Sequence, residues 1–131
     1  MSQPAAMLLL ATLMSAAQAH ATDAMLKAGR TSFESKCAMC HAMSKGEPHG
    51  AGPNLSGVLG RRIGSADGFA YSQALASKTE VWDAISLNTF LQDPQKFAPG
   101  TAMPFAGLKS EKERKALACF LGADANGAAC K

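Results

Sequence analysis

The pentapeptide Cys37-Ala38-Met39-Cys40-His41 narrows what this chain can become more than any other feature. Two thiols separated by two residues and followed at once by a histidine form the attachment signature of c-type haem. The thiols add across the vinyl groups, and the histidine coordinates the iron from one side. Two other chemistries use the same cysteine pair. A thioredoxin-like redox pair needs a strand before the motif and a helix after it, whereas here the motif follows a helical pattern and enters a glycine-rich stretch. A structural zinc site needs two further ligands at short spacing, and Cys119 and Cys130 stand too far apart to supply them. One covalent haem, with its iron, is the expected cofactor.

Residues 1–19 contain no Asp, Glu, Lys or Arg, and an apolar run from Ala5 to Met14 precedes Ala17-Gln18-Ala19. That is the pattern of a secretory h-region with its small-residue cleavage site. The run is shorter than the ~20 residues needed to span a bilayer. Residues 1–19 are therefore expected to be a cleaved signal peptide and residues 20–131 the haem domain, with periplasmic location and no stable membrane insertion after cleavage. The basic n-region usual in such leaders is missing, so only the amino terminus supplies positive charge there. In an oxidising compartment the remaining pair, Cys119 and Cys130, is expected to form a disulfide, with Gly122 and Gly127 letting the tail fold back.

A chain of 131 residues with 47% hydrophobic and 18% charged composition suits one soluble globular domain. Its formal charge of +3 is mild, and only Arg61-Arg62 and Lys112 to Lys115 group basic residues tightly. No dense basic segment tracks phosphates, which argues against a nucleic-acid partner.

Strand patterning is almost absent, so the expected fold class is all-α. Met25, Leu26, Gly29 and Phe33 recur at spacings of three and four and predict a first helix from Thr22 to about Lys36, with a close helix crossing at Gly29. From Lys45 to Gly68 turn formers dominate, and a long ordered loop is expected. Such a loop is uncommon in a compact domain unless it serves a function, such as wrapping a cofactor. A short helix follows over Tyr71 to Lys78. Asp83 is a plausible N-cap for a helix through Gln92, with Ile85, Leu87, Phe90 and Leu91 suited to burial and Pro94 ending it. In the last helix Ser110 and Glu113 form a capping box, Leu117, Phe120 and Leu121 make an apolar stripe, and Gly122 stops it.

The occupant of the sixth iron position decides between electron transfer and ligand chemistry. Met1, Met7 and Met14 lie in the leader, while Met25, Met39 and Met43 lie close to the motif. Met103 alone is far enough along the chain to reach the opposite face. It sits in Pro99-Gly100-Thr101-Ala102-Met103-Pro104-Phe105, where prolines and a glycine fix a loop. A lone methionine is more often core filler, but such a loop is a poor place for filler. His20 and His49 are weaker candidates.

The chain resembles the class I cytochromes c, in particular the mitochondrial and cytochrome c2 branch, over nearly all of residues 20–131. The matching segments include Gly29 with Phe33, the haem pentapeptide, Gly52-Pro53-Asn54-Leu55, Gly60 to Gly64, Gly68 to Ser72, Trp82, Phe90 to Pro94, Pro99 to Phe105 and Glu113-Arg114 with Leu117. The resemblance implies about five helices around an almost buried haem. It implies His41 and Met103 as axial ligands, with the Pro53 carbonyl accepting from the other imidazole nitrogen. It also implies that Arg61, Tyr71, Trp82 and Thr101 hydrogen-bond the propionates, that Phe105 lines the haem, and that His49 bridges loops. Phe90 and Leu75 depart from the pattern, standing where relatives usually carry a tyrosine and often an asparagine. Lysines at the haem edge are also thinner, with Lys36 and Lys109 kept but Gln95 and Ala102 replacing two others.

The expected function is a monomeric, non-enzymatic carrier of single electrons. Its expected partners are redox proteins such as a bc1 complex, a terminal oxidase, a photosynthetic reaction centre or a periplasmic dehydrogenase. The rivals are a peroxidase-like or ligand-sensing haem protein with a dissociable Met103, and an assembly protein with a structural haem. No acid or base close to Met103 in the sequence supports peroxide cleavage.

Overall fold

A computed structural model describes residues 5–123 and residue 130, with side chains described from residue 16 onward. The expectations placed on Met1, on the side chains of Met7 and Met14 and on Gly127 lie outside those residues. The chain is all-α, with α1 over Ala5–Lys36, α2 over Gln73–Ala76, α3 over Ala84–Gln92, α4 over Pro94–Phe97 and α5 over Glu111–Leu121. The one β feature among the described residues is an isolated bridge between Arg62 and Val81.

Helix α1 starts well before the expected Thr22. No glycine or proline occurs between Pro4 and Gly29, and Ala, Leu and Met, all strong helix formers, fill the stretch. The expected leader boundary after Ala19 thus falls inside a continuous helix, in a part where residues 16–20 are exposed. Among the described residues, no helix is long and apolar enough to cross a membrane.

Helices α1 and α5 cross at Gly29, as its place in the apolar face predicts. A Cβ there would come within 2.7 Å of the Ala116 carbonyl carbon and of Phe120 Cβ, so only glycine lets the backbones meet. Phe33 packs on Phe120 with ring centroids 5.5 Å apart, and Arg30 lies over the Phe120 ring. The stripe of Leu117, Phe120 and Leu121 feeds this contact, with Leu117 and Leu121 buried. Burying each such side chain contributes about 1.5–3 kcal/mol.

The caps show where sequence reasoning met competition. Asp83 caps α3 and forms a full capping box with Ser86, and its carboxyl sits below its usual range because the Ser86 N–H donates to it. At α5, Ser110 Oγ accepts from Glu113 N at 3.2 Å, but the reciprocal half of the expected box is replaced. The Glu113 carboxylate turns to α1, where Ser32 Oγ donates to it at 2.7 Å and Lys36 pairs with it. Pro94 follows the end of α3 as expected and also opens α4, where Asp93 Oδ1 accepts from Lys96 N at 3.0 Å. Helix α2 is shorter than the expected Tyr71 to Lys78, because Ser72 supplies no side-chain cap and Tyr71 is committed to the preceding loop. Ile85 was expected to be buried and is 79% exposed. It lies about 200° around α3 from Leu87, whose face with Phe90 and Leu91 takes the core.

Candidate haem site

The attachment motif is the continuation of α1. Cys37 N and Ala38 N both donate to Phe33 O, at 2.8 and 2.9 Å, and Cys40 N and His41 N both donate to Cys37 O, at 3.0 and 2.9 Å. One tight turn therefore presents Cys37, Cys40 and His41 together. The two cysteines are unpaired with one another and half-buried. Burial pushes the Cys37 thiol up, against a smaller downward pull from Lys36. That is the reverse of the depressed thiol a redox-active pair requires.

His41 is held from behind. Its Nδ1 lies 2.7 Å from the Pro53 carbonyl, and with the hydrogen on Nδ1 the ring donates to that oxygen and keeps a free lone pair on Nε2. Burial pulls its pKa down, more than the Pro53 contact raises it, so the imidazole is neutral at neutral pH and able to ligate a metal. Gly52 gives the ring room, since a Cβ there would lie 2.7 Å from His41 Nδ1. Gly52 N also donates to Cys40 O at 2.9 Å, tying this loop to the motif itself.

The long loop is ordered by side chains acting on backbone. Buried Asn54 donates from Nδ2 to the carbonyls of Ser44 and Glu47, at 2.8 and 2.9 Å, and accepts from Ser56 N at 2.8 Å. His49 accepts at Nδ1 from Asn54 N and donates from Nε2 to Asp67 O, spanning two parts of the loop.

The four residues expected to meet propionates are placed as follows. Arg61 and Trp82 are neighbours through backbone pairing, with Trp82 N donating to Arg61 O at 2.9 Å and Gly60 N to Trp82 O at 2.7 Å. Arg61 donates to Asn54 O at 3.2 Å, yet its buried Nε has no protein partner among the described residues. The Tyr71 hydroxyl accepts from Ala66 N at 3.1 Å, which leaves its O–H available as a donor. Thr101 is buried, and its Oγ1 accepts from Met103 N at 3.4 Å. Sequence reasoning missed Ser72, whose buried Oγ is likewise unpartnered. It stood inside the helix expected over Tyr71 to Lys78 and was given no role at the site. Buried donors without protein partners are rare, and a carboxylate can accept from both a guanidinium N–H and a hydroxyl. With the glycine cradle at His41, they fit a haem bearing ionised propionates.

Met103 and Phe105 are half-buried and pack against the core. In that core Trp82 lies 5.1 Å from Phe90 and stacks on Phe97 at 5.7 Å between centroids. Phe90 and Leu75, the departures from the expected pattern, are both buried apolar residues there. Cys119 and Cys130 are joined as a disulfide, with Cα atoms 4.4 Å apart.

A helical shell, a reduced thiol pair in one turn and a carbonyl-anchored histidine define a covalent-haem protein. The chain belongs to the cytochrome c family, whose model matches residues 26–123. It is 45% identical over 107 residues to the cytochrome c of Guizotia abyssinica, covering 82% of this chain and 95% of the relative. It is 45% identical over 105 residues to that of Chlamydomonas reinhardtii, covering 80% and 92%. To the cytochrome c of Kluyveromyces lactis it is 42% identical over 95 residues, covering 72% and 86%. Membership carries with it one covalently bound haem c and the role of a monohaem electron carrier.

Proposed function

We propose that this protein is an exported periplasmic shuttle in which Cys37 and Cys40 hold the haem by thioethers and His41 and Met103 ligate its iron. The observation that carries this reading is the 2.7 Å contact between His41 Nδ1 and the Pro53 carbonyl, which fixes the tautomer and aims Nε2 away from the protein anchor. Bound haem supplies the one-electron couple of its iron, and a nitrogen–thioether pair of ligands favours the reduced ion. The chain's own residues do the rest. Arg61, Tyr71, Ser72, Trp82 and Thr101 receive the propionates, which lets two carboxylates stay ionised in an apolar setting. Leu75, Phe90 and Phe105 keep water away. With His41 and Met103 both holding the iron, the chain would have no ligand to bind or release when an electron moves.

The partners we propose are membrane or periplasmic redox proteins of the bc1, oxidase, reaction-centre or dehydrogenase classes, met by a monomer. Lys36 is already paired with Glu113, which leaves a weakly charged face and predicts docking less sensitive to salt than that of lysine-rich relatives. The experiment is an absorption spectrum of the holoprotein from a periplasmic extract. A low-spin spectrum with a ferric sulfur-to-iron band is expected. A high-spin ferric spectrum at neutral pH sinks the His41–Met103 pairing, and holoprotein confined to the cytoplasm sinks the location.

A further inference from the structure

The segment that carries Met103 leaves α4 after Phe97 and reaches α5 at Ser110, and its two ends are held very differently. At the far end, buried Arg114 donates to the carbonyls of Leu108 and Lys109 at 2.7 and 2.9 Å and to Asn88 Oδ1 at 3.1 Å. Leu108 N also donates to Leu91 O at 2.8 Å. Gly107 at φ 96° lies so close to Gln92 that a Cβ would stand 2.7 Å from its carbonyl carbon. This end is a fixed foot.

The near end, next to Met103, has much less. Pro99 and Gly100 are exposed, and Thr101 N donates to Ala98 O at 2.9 Å. Among the described hydrogen bonds, one side chain from outside the segment reaches it: Gln95 Nε2 donates to Thr101 O at 3.0 Å. Thr101 is the residue whose Oγ1 accepts from Met103 N. An exposed glutamine on α4 is therefore linked through a single buried residue to the backbone of Met103.

Resting on the reading of Met103 as an axial ligand, we propose that Gln95 is a positioning residue, a latch that sets how often Met103 leaves the iron and admits a small nitrogen ligand. The exchange breaks the sulfur–iron bond and forms a nitrogen–iron bond, with no electron transferred. The segment swings on the Arg114 foot when the latch opens. The latch depends on a donor at position 95. Leucine there keeps the bulk without the donor, glutamate sets an oxygen against the Thr101 carbonyl, and lysine keeps a donor. Because Gln95 is exposed, none of these substitutions disturbs the core.

The test uses ferric holoprotein at neutral pH with imidazole as the probe. Q95L and Q95E are expected to bind it about three- to tenfold more tightly than wild type, the equilibrium worth of one hydrogen bond, with a weakened sulfur-to-iron band. Q95K is expected to stay near wild type, and the unfolding midpoints of Q95L and Q95E should fall by no more than that same single bond accounts for. E113Q, which weakens the fold at a distance from this segment, should bind imidazole as wild type does, which separates a latch from a general stabiliser. Wild-type protein that shows the band, with Q95L and Q95E binding imidazole as weakly as wild type does, overturns the latch alone. A wild type without the band overturns the Met103 reading and the latch with it.

Discussion

The α1–α5 crossing and the loops around the cofactor are built on opposite principles. At the crossing, shape decides: Gly29 admits Ala116, Phe33 meets Phe120, and Leu117 is fully buried. Around the haem, regular structure is scarce, and single polar side chains such as Asn54, His49, Arg61 and Gln95 hold backbone in place. Packing of the first kind specifies one arrangement and resists change. Hydrogen-bonded loops can be tuned one bond at a time, which suits a region that must adjust to a cofactor and a partner. The contrast is sharpest at Gly29. G29V puts a branched side chain into the Ala116 backbone and should cost about 3 kcal/mol or more, read as a lowered guanidinium midpoint of the holoprotein. An unchanged midpoint would mean the crossing is not close-packed.

The next effect belongs to the same half of the molecule. Cys119 is fully buried on α5, and its bond to Cys130 closes a loop of sequence separation 11. By the chain-entropy relation such a loop is worth about 3 kcal/mol. C130S should lower stability by about that amount, while alkylation of the intact oxidised protein should label neither Cys119 nor Cys130. Two labelled cysteines after alkylation without reductant would show that the bond does not form. The loop half should respond more gently and more locally. N54L leaves the carbonyls of Ser44 and Glu47 without their donor, which should cost about 2 kcal/mol. The comparison predicts faster amide exchange in the loop from Ser44 to Ser56 and unchanged protection in α1 and α5. Uniform loss of protection across the chain would erase the distinction between the two halves.

Helix periodicity and capping chemistry made the scaffold half readable in advance. Gly29, Phe33, Asp83, Ser110 and the Leu117 stripe all lie where local rules put them. The rules failed where a distant group outbid a local one: Glu113 leaves its own cap for Ser32 and Lys36 across the crossing. They also failed at Ile85, where hydrophobicity alone could not tell which side of a short helix faces inward. At the site, the pentapeptide carries its chemistry in consecutive residues and is legible without a fold. The remainder depends on contacts far apart in sequence. The Pro53 anchor and the four propionate candidates came only through family resemblance. Ser72 went unnoticed because it fell inside the helix expected over Tyr71 to Lys78, where a serine commonly bonds its own backbone or faces solvent.

The smallest effect tests the contact that joins the two halves, since Lys36 is the last residue of α1 before the haem motif and Glu113 belongs to the first turn of α5. Lys36, and then Ser32, hold the Glu113 carboxyl below its usual range. A carboxyl depressed in the folded state binds its proton more readily when the chain is unfolded. Its stabilisation is therefore complete above the unfolded carboxylate pKa of about 4.3 and fades as pH falls through the lower folded value. With the Glu113 side chain 28% exposed and Lys36 41% exposed, solvent screening limits the effect to under about 1 kcal/mol. E113Q should be less stable than wild type near neutral pH and should converge with it in acid, as followed by guanidinium unfolding across that range. A stability difference that stays constant with pH would show that Glu113 acts through its hydrogen bond to Ser32 and not through its charge. The ion pair at the end of α1 would then have no part in fixing where the haem motif begins.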